Sequence, residues 1–92
     1  MAETMIRFPA GLRGYVGGRT AVAVEAATVR AALAQVADGA PGLAERLFLP
    51  SGELRRHINV YLGTDDVRSL AGLDTLLVAP TTLSIVQAFA GG

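Results

Sequence analysis

One segment of this chain has the pattern of a long amphipathic helix. Between Thr28 and Gly39, an alanine-rich run places its larger apolar side chains at helical spacing: Val29, Leu33 and Val36. This spacing puts them on one helix face, with Thr28 as the N-cap and Gly39 as the stop. Because a single helix of this length covers one face of one sheet, the remainder of the chain is expected to form that sheet.

The remainder of the chain contains four segments with the alternating or β-branched pattern of strands. Separated by turns that contain Gly or Pro, they cover residues 4–8, 20–25, 57–62 and 82–87. A short strand at 67–68 and a short helical turn at 41–47 are also expected. This order predicts an α+β fold, with a mixed four- to five-stranded sheet packed on one main helix. The 92 residues should form one domain, residues 1–88, followed by a flexible tail, residues 89–92.

The inward faces of these elements predict a single hydrophobic core. Its expected members are Ile6, Phe8, Val22, Val24, Val29, Leu33, Val36, Ile58, Val60, Leu83 and Ile85. Burying each large side chain contributes roughly 1.5 to 3 kcal/mol, which is the scale needed to offset the conformational entropy of a domain of this size.

The composition argues against several classes of function. Eight basic and eight acidic residues give a formal net charge of zero, and no block of like charge is present. Nucleic acid and anionic membranes are therefore poor candidates for partners. The chain has no cysteine, so it cannot itself hold a disulfide, a thiolate-bound metal or a persulfide. Because it lacks both a basic start leading into an apolar stretch and a long apolar run, a cytoplasmic protein is expected.

The side chains that could perform catalysis are sparse and form no known catalytic motif. His57 is the only histidine, and it precedes a predicted strand, where a surface role is more common than a catalytic one. Asp65 and Asp66 are adjacent carboxylates in a turn, which favours backbone capping over metal binding or acid–base catalysis. We therefore expect neither an enzyme nor a bound metal or cofactor.

The last two residues, Gly91 and Gly92, are the exception. Glycine lacks a Cβ atom, so such a terminus can extend into a channel too narrow for other residues. A terminal carboxyl group is ionised at neutral pH, so Gly92 offers a carboxylate that can attack the α-phosphate of ATP. The competing interpretation is a frayed end without a function.

Several short motifs follow one another in the order and spacing of a known family. They are the runs at 41–47, 58–62, 65–68 and 72–75, and the closing Ala90-Gly91-Gly92. Together they resemble the ThiS/MoaD family of ubiquitin-like sulfur carriers and, within it, the cysteine-pathway or CysO type. The resemblance covers essentially the whole chain after Met5.

The resemblance implies a β-grasp fold and a role as a protein cosubstrate. In the family, an E1-like enzyme uses ATP and Mg²⁺ to adenylate the terminal glycine, and a sulfur donor converts the adenylate to a thiocarboxylate. Carried over to this chain, Gly92 is the modified residue, and Gly91 and Ala90 belong to the tail that enters the partner. A sulfur-accepting synthase, with a pyridoxal-phosphate-dependent enzyme as one option, and a metalloprotease are the further implied partners.

The resemblance also implies a docking surface on the sheet face opposite the helix. The residues at the corresponding positions are Pro9, Leu62 and Val86, with Gln87 and Phe89 close to the tail. Leu62 has the same strand parity as the inward Ile58 and Val60. It therefore reaches the outer face only if the strand twists or bulges there.

Three other functions stay open from the sequence. The small subunit of molybdopterin synthase would co-purify with a larger catalytic subunit. A ubiquitin-like modifier would join Gly92 to lysines of target proteins. A plain interaction domain fits the lack of catalytic side chains but leaves the resemblance unexplained. For a carrier, the receiving pathway, either cysteine synthesis or secondary metabolism, is also open.

Overall fold

The structure, a computed structural model, describes residues 2–88. In chain order the main elements are β1 (Ala2–Arg7), β2 (Ala21–Ala26), α1 (Val29–Asp38), α2 (Leu43–Leu47), β3 (Ile58–Leu62), β4 (Asp65–Asp66) and β5 (Thr81–Gln87). Short 3₁₀ segments lie at Ala10–Val16, Val67–Ser69 and Gly72–Asp74. The predicted order of strands and helices is confirmed, while the predicted tail, residues 89–92, lies outside the described residues.

The strands form one mixed sheet in the order β2-β1-β5-β3-β4. β1 is antiparallel to β2 and parallel to β5, and β3 is antiparallel to both β5 and β4. β5, the last strand in sequence, therefore lies in the middle of the sheet. Residues 81–84 of β5 are paired with β1 and residues 83–87 with β3, so the pairing with β3 holds the C-terminal end of β5 in position relative to the fold. The predicted α+β class, a mixed sheet packed on one main helix, is confirmed.

The main helix, α1, begins where the sequence predicts and ends within one residue of the predicted position. The Thr28 hydroxyl accepts a hydrogen bond from the Ala31 amide at 3.1 Å, an N-cap that contributes about 1 kcal/mol. At the other end, the Gly39 amide donates to a carbonyl of the last turn at 3.2 Å. The helix buries the face formed by Val29, Ala32, Leu33 and Val36. Local spacing and capping therefore determine both ends of α1 and the face that it presents to the sheet.

Most of the predicted core is buried, but β2 differs. Val22 and Val24 are only half-buried, because β2 is an edge strand with β1 on one side alone. Both valines line an open groove between β2 and the end of α1, next to Gln35. Further core residues come from the short helix and the connecting segments: Leu12, Leu43, Leu47, Val67 and Leu77. The short helix and the connecting segments therefore contribute a substantial part of the core, in addition to the main strands and α1.

The region after β3 differs from the prediction in detail. The strand lies at Asp65–Asp66, where it pairs with the end of β3, and not at 67–68. The Asp66 carboxylate accepts a hydrogen bond from the Arg68 amide at 2.9 Å and caps a 3₁₀ turn, Val67–Ser69. This cap explains why extended backbone gives way to a helical turn at Val67. The backbone-capping role expected for this acidic pair is confirmed at Asp66.

Candidate functional site

The candidate site begins where β5 ends. The predicted modified residue, Gly92, and the tail residues 89–91 lie outside the described residues. Ala88 comes directly before them, and its amide donates a hydrogen bond to the His57 carbonyl at 2.7 Å, next to the first residue of β3. The tail therefore starts from a defined point beside β3.

Val86 and Gln87, both predicted to contact a partner, point to opposite faces of the sheet. Val86 is paired with Asn59 of β3 and is 41% exposed on the face away from α1. Gln87 has the parity of the buried Ile85 and is half-buried. Its side chain lies against Gly11, where a Cβ atom would overlap the side-chain oxygen of Gln87. The absence of a side chain at Gly11 thus leaves the space that the Gln87 side chain occupies, one residue before Ala88.

Pro9 lies on the same outer face as Val86. Its backbone is extended, with φ −70° and ψ 158°, so the alternation of β1 continues from the exposed Arg7 through the buried Phe8 to Pro9. Arg7, the last residue of β1, is paired with Ser84 in the parallel register of β1 and β5, and Pro9 and Val86 each follow two residues after this pair. Two of the three residues predicted for the outer face, Pro9 and Val86, therefore have the parity of that face.

The structure corrects the expected position of the third, Leu62. The register of β3 and β5 runs without a bulge from Ile58 opposite Gln87 to Leu62 opposite Leu83. Leu62 therefore faces the same side as the fully buried Leu83, and its half-buried side chain packs against the core. Because side chains alternate strictly along a strand that has no bulge, Leu62 cannot share the outer face with Val86.

The outer face has two further apolar side chains, Met5 and Tyr61, that the sequence-based prediction omits. Met5 is 41% exposed on β1, and Tyr61, which is paired with Ser84, is half-buried on β3. Each is next to a buried strand residue, Ile6 or Val60, so strict alternation is sufficient to predict that it points outward. We define the outer-face patch as Met5, Pro9, Tyr61 and Val86.

The described residues offer few features of a conventional active site. Within residues 2–88, no three His, Asp or Glu side chains are grouped to hold a metal ion, and no helix is long and apolar enough to cross a bilayer. Every buried side-chain nitrogen or oxygen in this range has a hydrogen-bond partner. The polar groups of the interior are therefore used by the fold itself.

The match to known proteins extends over nearly the whole chain. The model of the ThiS family matches residues 6–92. The chain belongs to the ThiS family. The sulfur carrier protein CysO of Mycobacterium tuberculosis and that of Mycobacterium bovis are each 34% identical to this ThiS-family chain over 89 residues, which is 95% of this chain and 96% of the relative. The predicted class, a sulfur carrier protein and not an enzyme, is confirmed by these relatives.

Solved structures show the same similarity in three dimensions. A chain in the crystal structure of the BexX/CysO complex of Amycolatopsis orientalis matches with a TM-score of 0.88 and 35% identity, over 97% of this chain and 99% of that one. CysO of Mycobacterium tuberculosis matches with a TM-score of 0.86 and 31% identity, over 94% and 99%. Small archaeal modifier protein 1 of Methanosarcina acetivorans matches with 0.87 and 28%, over 100% and 98%. The predicted ubiquitin-like β-grasp fold is confirmed.

Proposed function

We propose that Gly92 is the residue at which this carrier is loaded with sulfur. The Gly92 carboxylate attacks the α-phosphorus of ATP and displaces pyrophosphate on an E1-like enzyme, which binds the ATP and Mg²⁺. Sulfide from a donor then adds to the acyl carbon and displaces AMP, which takes one of the carboxylate oxygens with it. The product is a thiocarboxylate. The partner supplies positioning and charge stabilisation, and the carrier supplies the acyl group.

The extent of the family match is the observation that supports this proposal most. It continues to residue 92 and so includes Gly91 and Gly92. Gly91 has no side chain to obstruct entry of the tail into a narrow channel. The described residues add a support for the tail, because Ala88 is hydrogen-bonded beside the central strand. In this proposal, residues 89–92 form the tail whose terminal carboxylate reacts, and residues 1–88 form the domain that a partner recognises.

The outer-face patch is the proposed docking surface for the activating enzyme. Its four residues lie on one face of the sheet, and Val86 is only two residues before Ala88. A partner that receives the tail must approach this part of the surface. Apolar side chains that are exposed or half-exposed on one face, as Met5, Val86, Pro9 and Tyr61 are here, are typical of such contacts. Gln87 and Phe89, which flank Ala88, are proposed to adjoin the same interface.

Similarity to CysO favours the cysteine-type pathway as the receiver of the sulfur. The acceptor would be an activated serine derivative on a pyridoxal-phosphate-dependent synthase, and a metalloprotease is a further candidate partner. The likeness to the chain in the BexX/CysO complex supports a secondary-metabolite pathway as the second candidate. Both pathways use the same thiocarboxylate, and both place the carrier in the cytoplasm, where ATP is available.

A modifier function is the alternative that a specific observation favours. The match to small archaeal modifier protein 1 has a TM-score of 0.87 at 28% identity. In a modifier, the adenylated Gly92 would be joined to a lysine amine of a target protein instead of to sulfide. Mass spectrometry of cell extracts distinguishes the two functions, because only a modifier leaves Gly92 in isopeptide linkage to lysines of other proteins.

ATP–pyrophosphate exchange tests the proposal. The E1-like enzyme from the same genome should catalyse exchange only when this chain is added. A semisynthetic chain with a C-terminal amide at Gly92 should give no exchange, since an amide cannot attack ATP as a carboxylate does. Circular dichroism of the two chains should be identical. If the amidated chain supported exchange at an undiminished rate, the reacting group would not be the Gly92 carboxylate.

A further inference from the structure

A cleft of about 450 Å³ lies beside the end of β5. It is lined by Tyr15, Gly42, Glu45, Arg46, Arg55 and His57. We call it the arginine cleft. His57 connects the cleft to the tail, because its carbonyl accepts the hydrogen bond from the Ala88 amide at 2.7 Å. The cleft therefore adjoins the point from which the tail starts.

Both arginines of the cleft are held in place through Nε. Arg46 Nε donates to the Tyr15 hydroxyl at 2.7 Å, and the Arg46 guanidinium carbon lies 5.8 Å from the centre of the Tyr15 ring. Arg55 Nε donates to the Glu45 carbonyl at 2.7 Å. Within residues 2–88, the Nη groups of Arg46 and Arg55 make no hydrogen bond and no ion pair. The guanidinium groups are thus positioned while their terminal donors stay available.

The position of Tyr15 depends on Gly42. Gly42 has φ +89°, in the left-handed region, and a Cβ atom there would come within 3.1 Å of the Tyr15 ring. Glycine satisfies both constraints, so the half-buried ring packs directly on the backbone before α2. The ring in turn fixes Arg46, which belongs to α2. Two separate segments of the chain, the one that contains Tyr15 and the one formed by Gly42 and α2, therefore cooperate to orient Arg46.

The charge of the arginine cleft is positive. Arg46 and Arg55 contribute two positive charges, and Glu45 contributes one negative charge without forming an ion pair to either arginine in the described residues. Guanidinium donors are arranged as a planar fork that fits the two oxygens of a carboxylate. The cleft is therefore suited to binding a carboxylate group. The negative charge of Glu45 weakens the positive electrostatic potential of the two arginines.

We propose that the arginine cleft binds a carboxylate-bearing segment of the protein that takes up the tail. The assignment of the occupant rests on the proposed function. Fully extended, the four residues after Ala88 reach at most about 14 Å, so a protein that engages Gly92 must cover the surface around Ala88 and His57. Acidic side chains on that covering surface meet Arg46 and Arg55. The phosphates of ATP are not the proposed occupant of the cleft, because ATP reacts with Gly92 at the far end of the tail.

Titration of the full-length carrier with a hexaglutamate peptide, followed by ¹H–¹⁵N NMR, tests the cleft directly. Saturable shifts should be confined to amides of the lining residues and should disappear in the double variant Arg46→Gln/Arg55→Gln. Glu45→Gln should tighten peptide binding several-fold. Arg30→Gln, at an exposed arginine paired with Asp74, is the matched control and should bind like the native chain.

Two NMR outcomes would overturn the proposal. Shifts that persist in the double variant would show that the cleft is not the binding site. Inorganic phosphate binding as tightly as the peptide would contradict a site for a protein carboxylate segment.

Kinetics with the activating enzyme then test the occupant. The double variant should raise KM for the carrier on the order of tenfold with kcat unchanged, because lost charge pairs weaken docking and leave the chemistry intact. Arg30→Gln should leave KM unchanged. If the native chain is activated and KM does not rise in the double variant, the cleft proposal fails and the proposed function stands. If the native chain is not activated at all, the proposed function fails, and the NMR titration still decides whether the cleft binds carboxylates.

Discussion

The two ends of the sheet differ in how their exposed side chains are used. We call the end at which Ala88 and His57 lie the tail end, and the end formed by residues 76–80, before β5, the loop end. At the loop end, Leu76 is 65% exposed and Val78 is 84% exposed. The tail end instead presents Arg46, which has Nη donors without a partner in residues 2–88, beside the hydrogen-bonded start of the tail.

Arginine is present near both ends, but in different states. Arg30, near the start of α1, is paired with Asp74 at 3.2 Å, and both side chains are exposed. Such a surface pair contributes little to stability. Arg46 and Arg55 are held through Nε and are not ion-paired within residues 2–88. The arginines at the tail end are therefore oriented by hydrogen bonds without an ion pair within residues 2–88, an arrangement that suits binding to a partner better than stabilising the fold.

Changes to the tail should reduce activation more than changes anywhere else in the chain. Deleting Gly92 should reduce activation by the E1-like enzyme on the order of 100-fold or more, because the remaining carboxylate stops short of the reacting geometry. The melting temperature should not change. Measuring adenylation and thermal unfolding on the same sample checks both statements. If the shortened chain were still activated, the reacting group would not be at Gly92, and the tail end would have no functional role that the loop end lacks.

Core substitutions should affect both ends alike, since both rest on the same core. Leu43→Ala near the tail end and Leu77→Ala at the loop end should each lower the free energy of unfolding by about 2 to 5 kcal/mol, measured by urea denaturation. Leu43 is 0% and Leu77 2% exposed. Leu76→Ala, at the exposed neighbour, is the control and should change it by about 0.5 kcal/mol or less. Equal losses for Leu76 and Leu77 would contradict the assigned core.

The outer-face patch provides the next test of the comparison. Val86→Asp should raise KM for activation roughly tenfold, since a charge replaces an apolar contact in the interface. Val78→Asp makes the same change at the loop end, where no partner contact is proposed, and should leave KM unaltered. Steady-state kinetics of adenylation measures both. An equal rise in KM for the two variants would show that docking is not confined to the tail end.

The smallest effect is expected at the N-cap of α1. Thr28→Ala removes the hydrogen bond to the Ala31 amide and should lower the free energy of unfolding by about 1 kcal/mol. Thr28→Ser keeps the acceptor and should recover most of the loss. Activation should be unaffected by either change, because Thr28 lies away from the tail end. If the alanine and serine variants had the same free energy of unfolding, the Thr28 side chain would not stabilise α1 as an N-cap.

Features set by short stretches of sequence are the ones that sequence patterns predict well here. The helix α1 follows from Thr28, Gly39 and the spacing between them, and its cap and buried face agree with the structure. Strand parity likewise predicts that Ile58 and Val60 are buried and that Val86 points outward. These features depend on neighbouring residues along the chain, so they are visible without tertiary information.

Features that join distant segments are not visible in the same way. Leu12 and Leu77 are buried from irregular segments, which have no periodicity to reveal an inward face. The arginine cleft combines Tyr15, Arg46 and Arg55 from three parts of the chain, and no local pattern links them. For Leu62, strand parity predicts the core-facing side that the structure shows, whereas the family resemblance implies a position on the outer face. The register without a bulge decides between them.

Gly92 is the proposed position at which this ThiS-family carrier is loaded with sulfur. Incubation with the E1-like enzyme, ATP, Mg²⁺ and a sulfide source, followed by intact-protein and fragment-ion mass spectrometry, tests it most directly. The intact mass should rise by the difference between one sulfur and one oxygen atom, and only fragments that contain Gly92 should have the increase. An unchanged mass under conditions that consume ATP, or sulfur found on fragments that lack Gly92, would contradict it.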